Sequence, residues 1–94
     1  MQYLKIRWKH KLEDEPVLIY SELDEARMET RKVEIFADGT KGYASGTEAN
    51  GFTMLGEEPV PTTADIASDP EFFPEEITQA EFEKVWSEAV EEDR

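Results

Sequence analysis

Cysteine is absent from this chain of 94 residues, and histidine occurs only once, at His10. Without thiols the chain can form neither a disulfide framework nor a thiolate-ligated zinc site. With one imidazole, a zinc site would need three or more carboxylate ligands, which is an unusual ligand set. We therefore expect no metal site and no cofactor.

Positive charge and long apolar runs are also scarce. The chain carries 23 Asp and Glu against 10 Lys and Arg, which gives a formal net charge of −13. Nucleic acids and anionic membranes are themselves negative, so this charge argues against both as partners. No apolar run approaches the roughly 20 residues of a membrane-spanning helix, and the N-terminal residues lack the apolar stretch of a secretory signal. We expect a cytoplasmic protein.

Catalytic sequence patterns are missing as well. No serine lies in a G-x-S-x-G motif, and the glycines match neither the dinucleotide-binding pattern nor the P-loop. Because acidic residues are so dense, closely spaced carboxylates arise by chance and do not indicate acid–base catalysis. We predict no catalytic residues and no enzyme.

The charge is unevenly distributed along the chain. Residues 1–11 contain four bases and no acid, whereas residues 38–94 contain fifteen acids and three bases. We interpret the N-terminal bases as partners that neutralise nearby acids within the fold. The second half of the chain is then a strongly negative surface.

The first half of the chain has the patterns of β-strands. Residues 3–12 alternate, which places Leu4 and Trp8 on a core face and the bases on the other face. Residues 17–22 are rich in β-forming side chains, and residues 28–37 alternate again. These patterns predict three strands in succession.

A fourth strand follows the pair Asp38-Gly39. This dipeptide between two strand patterns predicts a two-residue type I′ turn, because both residues adopt positive φ readily. The turn sets Val33 opposite Ala44. A large residue facing a small one leaves a shallow groove, which we expect to receive Trp86 of a C-terminal helix.

Two further stretches have loop patterns. Residues 23–26 predict a turn, with a single helical turn as the alternative. Residues 45–56 are rich in glycine and predict a loop, in which 52–55 is an alternative short strand.

The segment 56–76 carries four prolines. Such a segment can form neither a long helix nor a central strand. A short helical turn fits at 63–68, with Thr62 or Thr63 as its cap. The apolar residues among the prolines predict that the segment wraps the domain.

The C-terminal segment is the clearest helix. Thr78 and Glu81 form the S/T-x-x-E capping box that begins a helix. The apolar side chains recur with helical spacing at Phe82, Val85, Trp86, Ala89 and Val90. The sequence therefore predicts one α+β domain over residues 1–94: an antiparallel sheet of about four strands in meander order (1–55), a Pro-rich wrapping segment (56–76), and an amphipathic helix (77–91) packed on one face.

Several short runs resemble a family of small acidic bacterial single-domain proteins. They are residues 13–17, 19–24, 29–36, 38–39, 42–44, 55–59, 69–72 and 81–86. The resemblance covers nearly the whole chain. It implies a stand-alone domain in a bacterial cytoplasm, and it supplies no functional residues because that family is of unknown function.

Small size, strong acidity and the missing catalytic patterns favour a binding protein that neutralises a basic partner. We expect an immunity protein or inhibitor of a bacterial toxin or nuclease, since an acidic domain can occupy a phosphate-binding surface. The predicted partner-binding residues are acids in turns and loops, with one aromatic anchor: Glu13, Asp14, Asp24, Glu25, Tyr43, Glu57 and Glu58.

The alternative is a small regulatory or accessory module that recognises a peptide or protein through an exposed sheet edge. In that case the charge serves solubility alone. Neither alternative predicts an oligomeric state.

Overall fold

Five strands form one antiparallel sheet in the computed structural model, which describes residues 1–93. Strands β1 to β4 follow one another as the predicted meander, and β5 is added beside β1. The expected count of about four strands is therefore wrong by one. The strands are β1 (Gln2–Trp8), β2 (Leu18–Leu23), β3 (Glu29–Ile35), β4 (Lys41–Ser45) and β5 (Phe72–Glu76), in the spatial order β4-β3-β2-β1-β5.

Strand β5 comes from the Pro-rich segment and contains Pro74. It pairs with β1 alone, so it lies at the edge of the sheet, where a residue without an N–H is tolerated. The short proline-containing run carries little strand signal of its own. Pairing with β1 organises it.

Two helices complete the structure, α1 (Thr63–Ala67) and α2 (Gln79–Glu92). Thr62 caps α1 by accepting a hydrogen bond from the Asp65 backbone N–H at 3.2 Å. Thr78 caps α2 in the same way, with the Glu81 N–H at 3.1 Å. Both predicted helices and their caps are confirmed. Among residues 1–93, no helix is both long and apolar enough to span a bilayer.

Helix α2 packs on one face of the sheet. By alternation, the basic side chains of β1 lie on this same face. Tyr3, Tyr20 and Val33 of that face form one buried cluster with Phe82 and Val90 of the helix. The expectation that the face of Leu4 and Trp8 is the core face is therefore incomplete. Leu4 is fully buried on the opposite side, so the sheet is covered on both faces.

The β3–β4 hairpin has a three-residue loop instead of the predicted two-residue turn. The Phe36 N–H donates to the Thr40 carbonyl, and Gly39, with φ 89°, closes the loop. The predicted register is wrong by one residue, and Val33 lies opposite Tyr43. A shift of one residue turns every side chain of a strand to the other face.

The shift decides what β4 presents to each side. Tyr43 faces α2, where its ring lies 5.4 Å from the ring of Trp86. Gly42 faces the other side, where a Cβ atom would lie 2.1 Å from the Thr53 hydroxyl. Trp86 therefore packs on an aromatic ring, whereas the prediction placed it in a groove above Ala44.

Residues 52–55 cross the second face of the sheet as a loop, and the alternative strand there does not form. The Thr53 hydroxyl donates to the Glu34 carboxylate at 2.8 Å. The Lys32 ammonium donates to the Met54 carbonyl at 3.1 Å, and the Gly56 N–H donates to the Glu29 carboxylate at 2.6 Å. Side chains of β3 thus hold this loop in place.

The β2–β3 connection is the predicted turn, not a helical turn. The Asp24 carboxylate accepts hydrogen bonds from the Ala26 and Met28 N–H groups, and Arg27 adopts a positive φ of 63°. The Arg27 side chain then reaches the carbonyls of Val60 and Pro61. This turn is therefore tied to the segment that wraps the second face.

Candidate functional site

A cleft opens at the end of the sheet where the β1–β2 and β3–β4 connections lie side by side. In a meander, these two connections share an end of the sheet. The cleft encloses about 880 Å³, within the range of about 300–1,000 Å³ that is typical of ligand clefts. Its walls are formed by three segments, 13–16, 36–42 and 51–53, together with Glu34.

Carboxylates dominate the charge of this cleft. Among residues 1–93, five acidic residues line it against one base, Lys41. The Lys41 ammonium lies 2.6 Å from the Glu92 carboxylate of α2, so its charge is already compensated. The acids are Glu13, Asp14, Glu15, Glu34 and Asp38.

Two of the five carboxylates are held by hydroxyl groups. Glu34 accepts the bond from Thr53, and Asp38 accepts from the Thr40 N–H and hydroxyl at 3.0 and 2.7 Å. The backbone bond from Thr40, and then its hydroxyl, lower the pKa of Asp38 below its usual value. Asp38 therefore stays ionised at neutral pH.

The other three carboxylates belong to the consecutive residues 13–15 in the β1–β2 connection. All three residues are exposed. Within the described residues 1–93, they form no ion pair and no side-chain hydrogen bond. Their negative charges are therefore available to pair with cations of a partner.

An aromatic side chain also lines the cleft, from the segment 51–53. Phe52 is fully exposed, at 102%. It follows Gly51, whose positive φ of 59° turns the loop at this point. A fully exposed phenylalanine on the rim of a cleft gives apolar surface that a partner can bury.

His10 shapes the connection that carries the three free carboxylates. The Leu12 N–H donates to Nδ1 at 2.9 Å, so the proton of the neutral ring is on Nε2, which donates to the Pro16 carbonyl at 2.8 Å. The imidazole also lies 4.3 Å from the ring of Trp8. His10 therefore spans the base of the connection and positions it.

The predicted partner-binding acids separate into two groups. Glu13 and Asp14 line the cleft. The other four lie near the β2–β3 turn, because the Val60 N–H donates to the Arg27 carbonyl and joins the two loops. They are Asp24, Glu25, Glu57 and Glu58. A strand of six residues, as in β2, spans roughly 17–20 Å, so the two groups lie at opposite ends of the sheet.

Tyr43 does not have the exposure that the predicted anchor role requires. It is only 5% exposed because the shifted hairpin register turns it under α2. Its hydroxyl donates to the Asp93 carboxylate at 2.8 Å. We correct the prediction by assigning Tyr43 to the core.

The acidic and fully exposed aromatic cleft residues that the sequence did not indicate as partner-binding are Glu15, Glu34, Asp38 and Phe52. The meander order carried a signal for Asp38, since it already placed the connections after β1 and β3 at one end. No sequence signal indicated the exposure of Phe52, because an apolar residue in a loop is expected to turn inward.

The N-terminal bases do not neutralise acids by direct contact, as the sequence suggested. Within the described part of the chain, none of the four forms an ion pair. The Arg7 guanidinium lies 4.6 Å from the centre of the Phe73 ring, and the Lys5 ammonium lies 6.0 Å from that of Tyr20. Arg7 and Lys5 therefore have aromatic rings, not carboxylates, as their partners.

The edges of the sheet offer few free backbone groups. Along β4, Asn50 donates its N–H to the Tyr43 carbonyl and accepts from the Tyr43 N–H, and the Ser45 N–H donates to the Glu48 carbonyl. On β5, Pro74 has no N–H, and alternation turns this residue's backbone away from β1. Both edges are thus blunted against an added strand.

The described residues contain no group of three or more His, Cys, Asp or Glu side chains arranged to hold a metal ion. No curated protein and no solved structure matches the chain. The sequence profile described as a domain of unknown function, DUF6881, matches residues 2–91. Because the match covers nearly the whole chain, the protein belongs to the DUF6881 family.

Proposed function

We propose that this protein binds a basic protein partner through the cleft and neutralises it, as an immunity protein or inhibitor of a bacterial toxin or nuclease in the cytoplasm. The observation that carries the proposal is the set of unpaired carboxylates at 13–15 in a cleft that the exposed Phe52 also lines. In this proposal the protein acts by occupying the functional surface of its partner, so it needs no catalytic group of its own.

The charge of the whole chain supports the same function. A net charge of −13 attracts a basic partner from a distance and accelerates encounter. Charge alone gives little specificity at contact. The cleft supplies it, because Phe52 can be buried while the carboxylates pair with cations around it.

The alternative of strand addition at a sheet edge has less support. It needs a row of free N–H and C=O groups. Asn50 and Ser45 occupy that row on β4, and Pro74 interrupts it on β5. No observation favours this alternative, and we do not propose it.

Co-expression with the product of each adjacent gene tests the proposal. We expect one of these products to stop growth when expressed alone and the protein to restore growth. The triple variant E13K/D14K/E15K should lose the rescue. The variant E25K/E57K/E58K makes the same change in net charge at the opposite end of the sheet and should retain it.

Two results would contradict the proposal. The first is that no adjacent product is toxic and that a tagged copy of the protein retains no basic protein from its own cell extract. The second is an equal loss of rescue in both triple variants. That result would show that net charge matters and the cleft does not.

A further inference from the structure

We infer that the cleft recognises an arginine side chain of its partner, with the guanidinium stacked on Phe52 and paired with the rim carboxylates. The inference rests on the proposed function and names the group that is bound. It follows from how this protein holds its own Arg31 and from the cation that the cleft lacks.

Arg31 shows the arrangement inside the fold. Its guanidinium donates to the carboxylates of Glu22 and Glu83 at 2.6 to 2.9 Å. The same group lies 4.9 Å from the centre of the Phe82 ring and 5.2 Å from that of Trp86. One arginine therefore satisfies carboxylates with its edge and aromatic rings with its face.

The cleft presents the same two kinds of group without the cation. The carboxylates of 13–15 have no partner among residues 1–93, and Phe52 is fully exposed. Lys41, the one base of the described chain that lines the cleft, is engaged by Glu92. The protein's own cations leave the cleft open to a cation from outside.

Arginine fits this combination better than lysine. A guanidinium is planar, pairs with carboxylates through a fork of N–H groups, and is weakly hydrated, so it stacks on a ring at low cost. An ammonium is a strongly hydrated point charge. A carboxylate cluster alone would attract both, so the preference depends on Phe52.

The test uses the full chain labelled with nitrogen-15 and two blocked peptides, Gly-Arg-Gly-Arg-Gly-Arg and Gly-Lys-Gly-Lys-Gly-Lys. Both are titrated while amide chemical shifts are recorded. We expect the arginine peptide to bind about two- to five-fold more tightly, the ratio that a cation–π contact at an exposed site provides. The largest shifts should fall at 13–15, at Asp38 and at Phe52.

Variants of Phe52 isolate the ring. F52L should reduce the affinity of the arginine peptide to that of the lysine peptide. F52W should keep or increase the preference for the arginine peptide. Neither change should disturb folding, because the side chain is fully exposed, and the spectrum of each free variant checks this.

Equal binding of both peptides at the cleft would overturn the arginine inference and leave the binding of a basic partner standing. Shifts at Glu25, Glu57 and Glu58 instead of the cleft, or none at all, would also overturn the inference. The growth rescue judges the proposed function separately, because it depends on the toxic partner and not on either peptide.

Discussion

Arg31 and Glu22 face each other as a two-point ion pair on neighbouring strands of the sheet. Arg31 Nε donates to Glu22 Oε1 at 2.9 Å, and Nη2 donates to Oε2 at 2.6 Å. Glu22 is 7% exposed, so little water competes with this pair. Because Arg31 also binds Glu83 of α2, the pair fixes the helix to the sheet.

The first prediction concerns acid stability. Hydrogen bonds from Arg31, and then from Thr30, lower the pKa of Glu22 from 4.5 to about 2. A lowered pKa in the folded state stabilises the protein above the unfolded value, so this contribution is complete above about pH 4.5 and is lost as the pH falls towards 2. The shift corresponds to about 3 kcal/mol.

Urea unfolding at pH 7, 4 and 2.5 measures this loss. The E22Q variant lacks the titrating group, so its free energy of unfolding should fall less steeply below pH 4.5. An equally steep fall in E22Q would show that other carboxylates account for the acid sensitivity.

The second prediction removes the cation. R31M should lower the free energy of unfolding by about 3–5 kcal/mol, because it leaves the Glu22 carboxylate buried without its partner. K84M removes a positive charge from an exposed position of α2 and should change stability by less than about 0.5 kcal/mol.

The double variant R31M/E22Q should recover part of the loss, since no buried charge is left unpaired. Chemical denaturation of the parent protein, R31M, K84M and R31M/E22Q gives the comparison. If R31M is no less stable than K84M, the pair does not hold the helix to the sheet.

The third prediction concerns the contact between Gly42 and Thr53. A Cβ atom at position 42 would lie 2.1 Å from the Thr53 hydroxyl, so G42A must displace Thr53 and its bond to Glu34. We expect a loss of about 1–3 kcal/mol. Thermal unfolding measures it.

G46A is the matched control for this glycine. No heavy atom of residues 1–93 lies within 4 Å of the Cβ that it would add, so its unfolding temperature should stay close to that of the parent. Adding T53A to G42A should relieve the crowding by removing the hydroxyl. If G42A and G46A unfold at the same temperature, the close approach does not constrain the loop.

The fourth prediction concerns the connection that carries residues 13–15. H10A removes the acceptor for the Leu12 N–H and the donor to the Pro16 carbonyl, two bonds worth about 1 kcal/mol each. We expect faster amide hydrogen exchange across 11–16. H10N keeps an acceptor for Leu12 through an Asx turn and should show a smaller effect.

Protection at Val33 in β3 serves as the internal reference, because its amide should exchange only when the whole domain unfolds. If H10A accelerates exchange at Val33 as much as across 11–16, His10 contributes to global stability and does not position the connection selectively.

Local patterns in the sequence predicted the local parts of the fold. Each of these parts depends on residues that are close together in the sequence. They are the Thr78 cap and apolar stripe of α2, the alternation of β1 and the turn at Asp24. Such interactions act before the chain is folded. Elements that depend on them were predicted correctly in type, with boundaries that differ by a few residues.

Long-range pairing decided the rest. Strand β5 forms because β1 offers it an edge, and the single extra residue of the β3–β4 loop turned Tyr43 into the core and Gly42 towards Thr53. A slip of one residue costs little locally and inverts a whole strand. The sequence alone could not choose between the two registers.

The candidate site shows the same division. By itself the sequence determined that the protein is strongly acidic, lacks cysteine and carries no catalytic motif, since these are properties of composition. Only the tertiary structure decided that Glu13 and Asp38 meet at one cleft while Glu25 and Glu57 gather at the far end. The physical reason is that the sequence around a carboxylate does not indicate which residues lie near it in the folded protein. Where they meet is set by the order and register in which the strands pair.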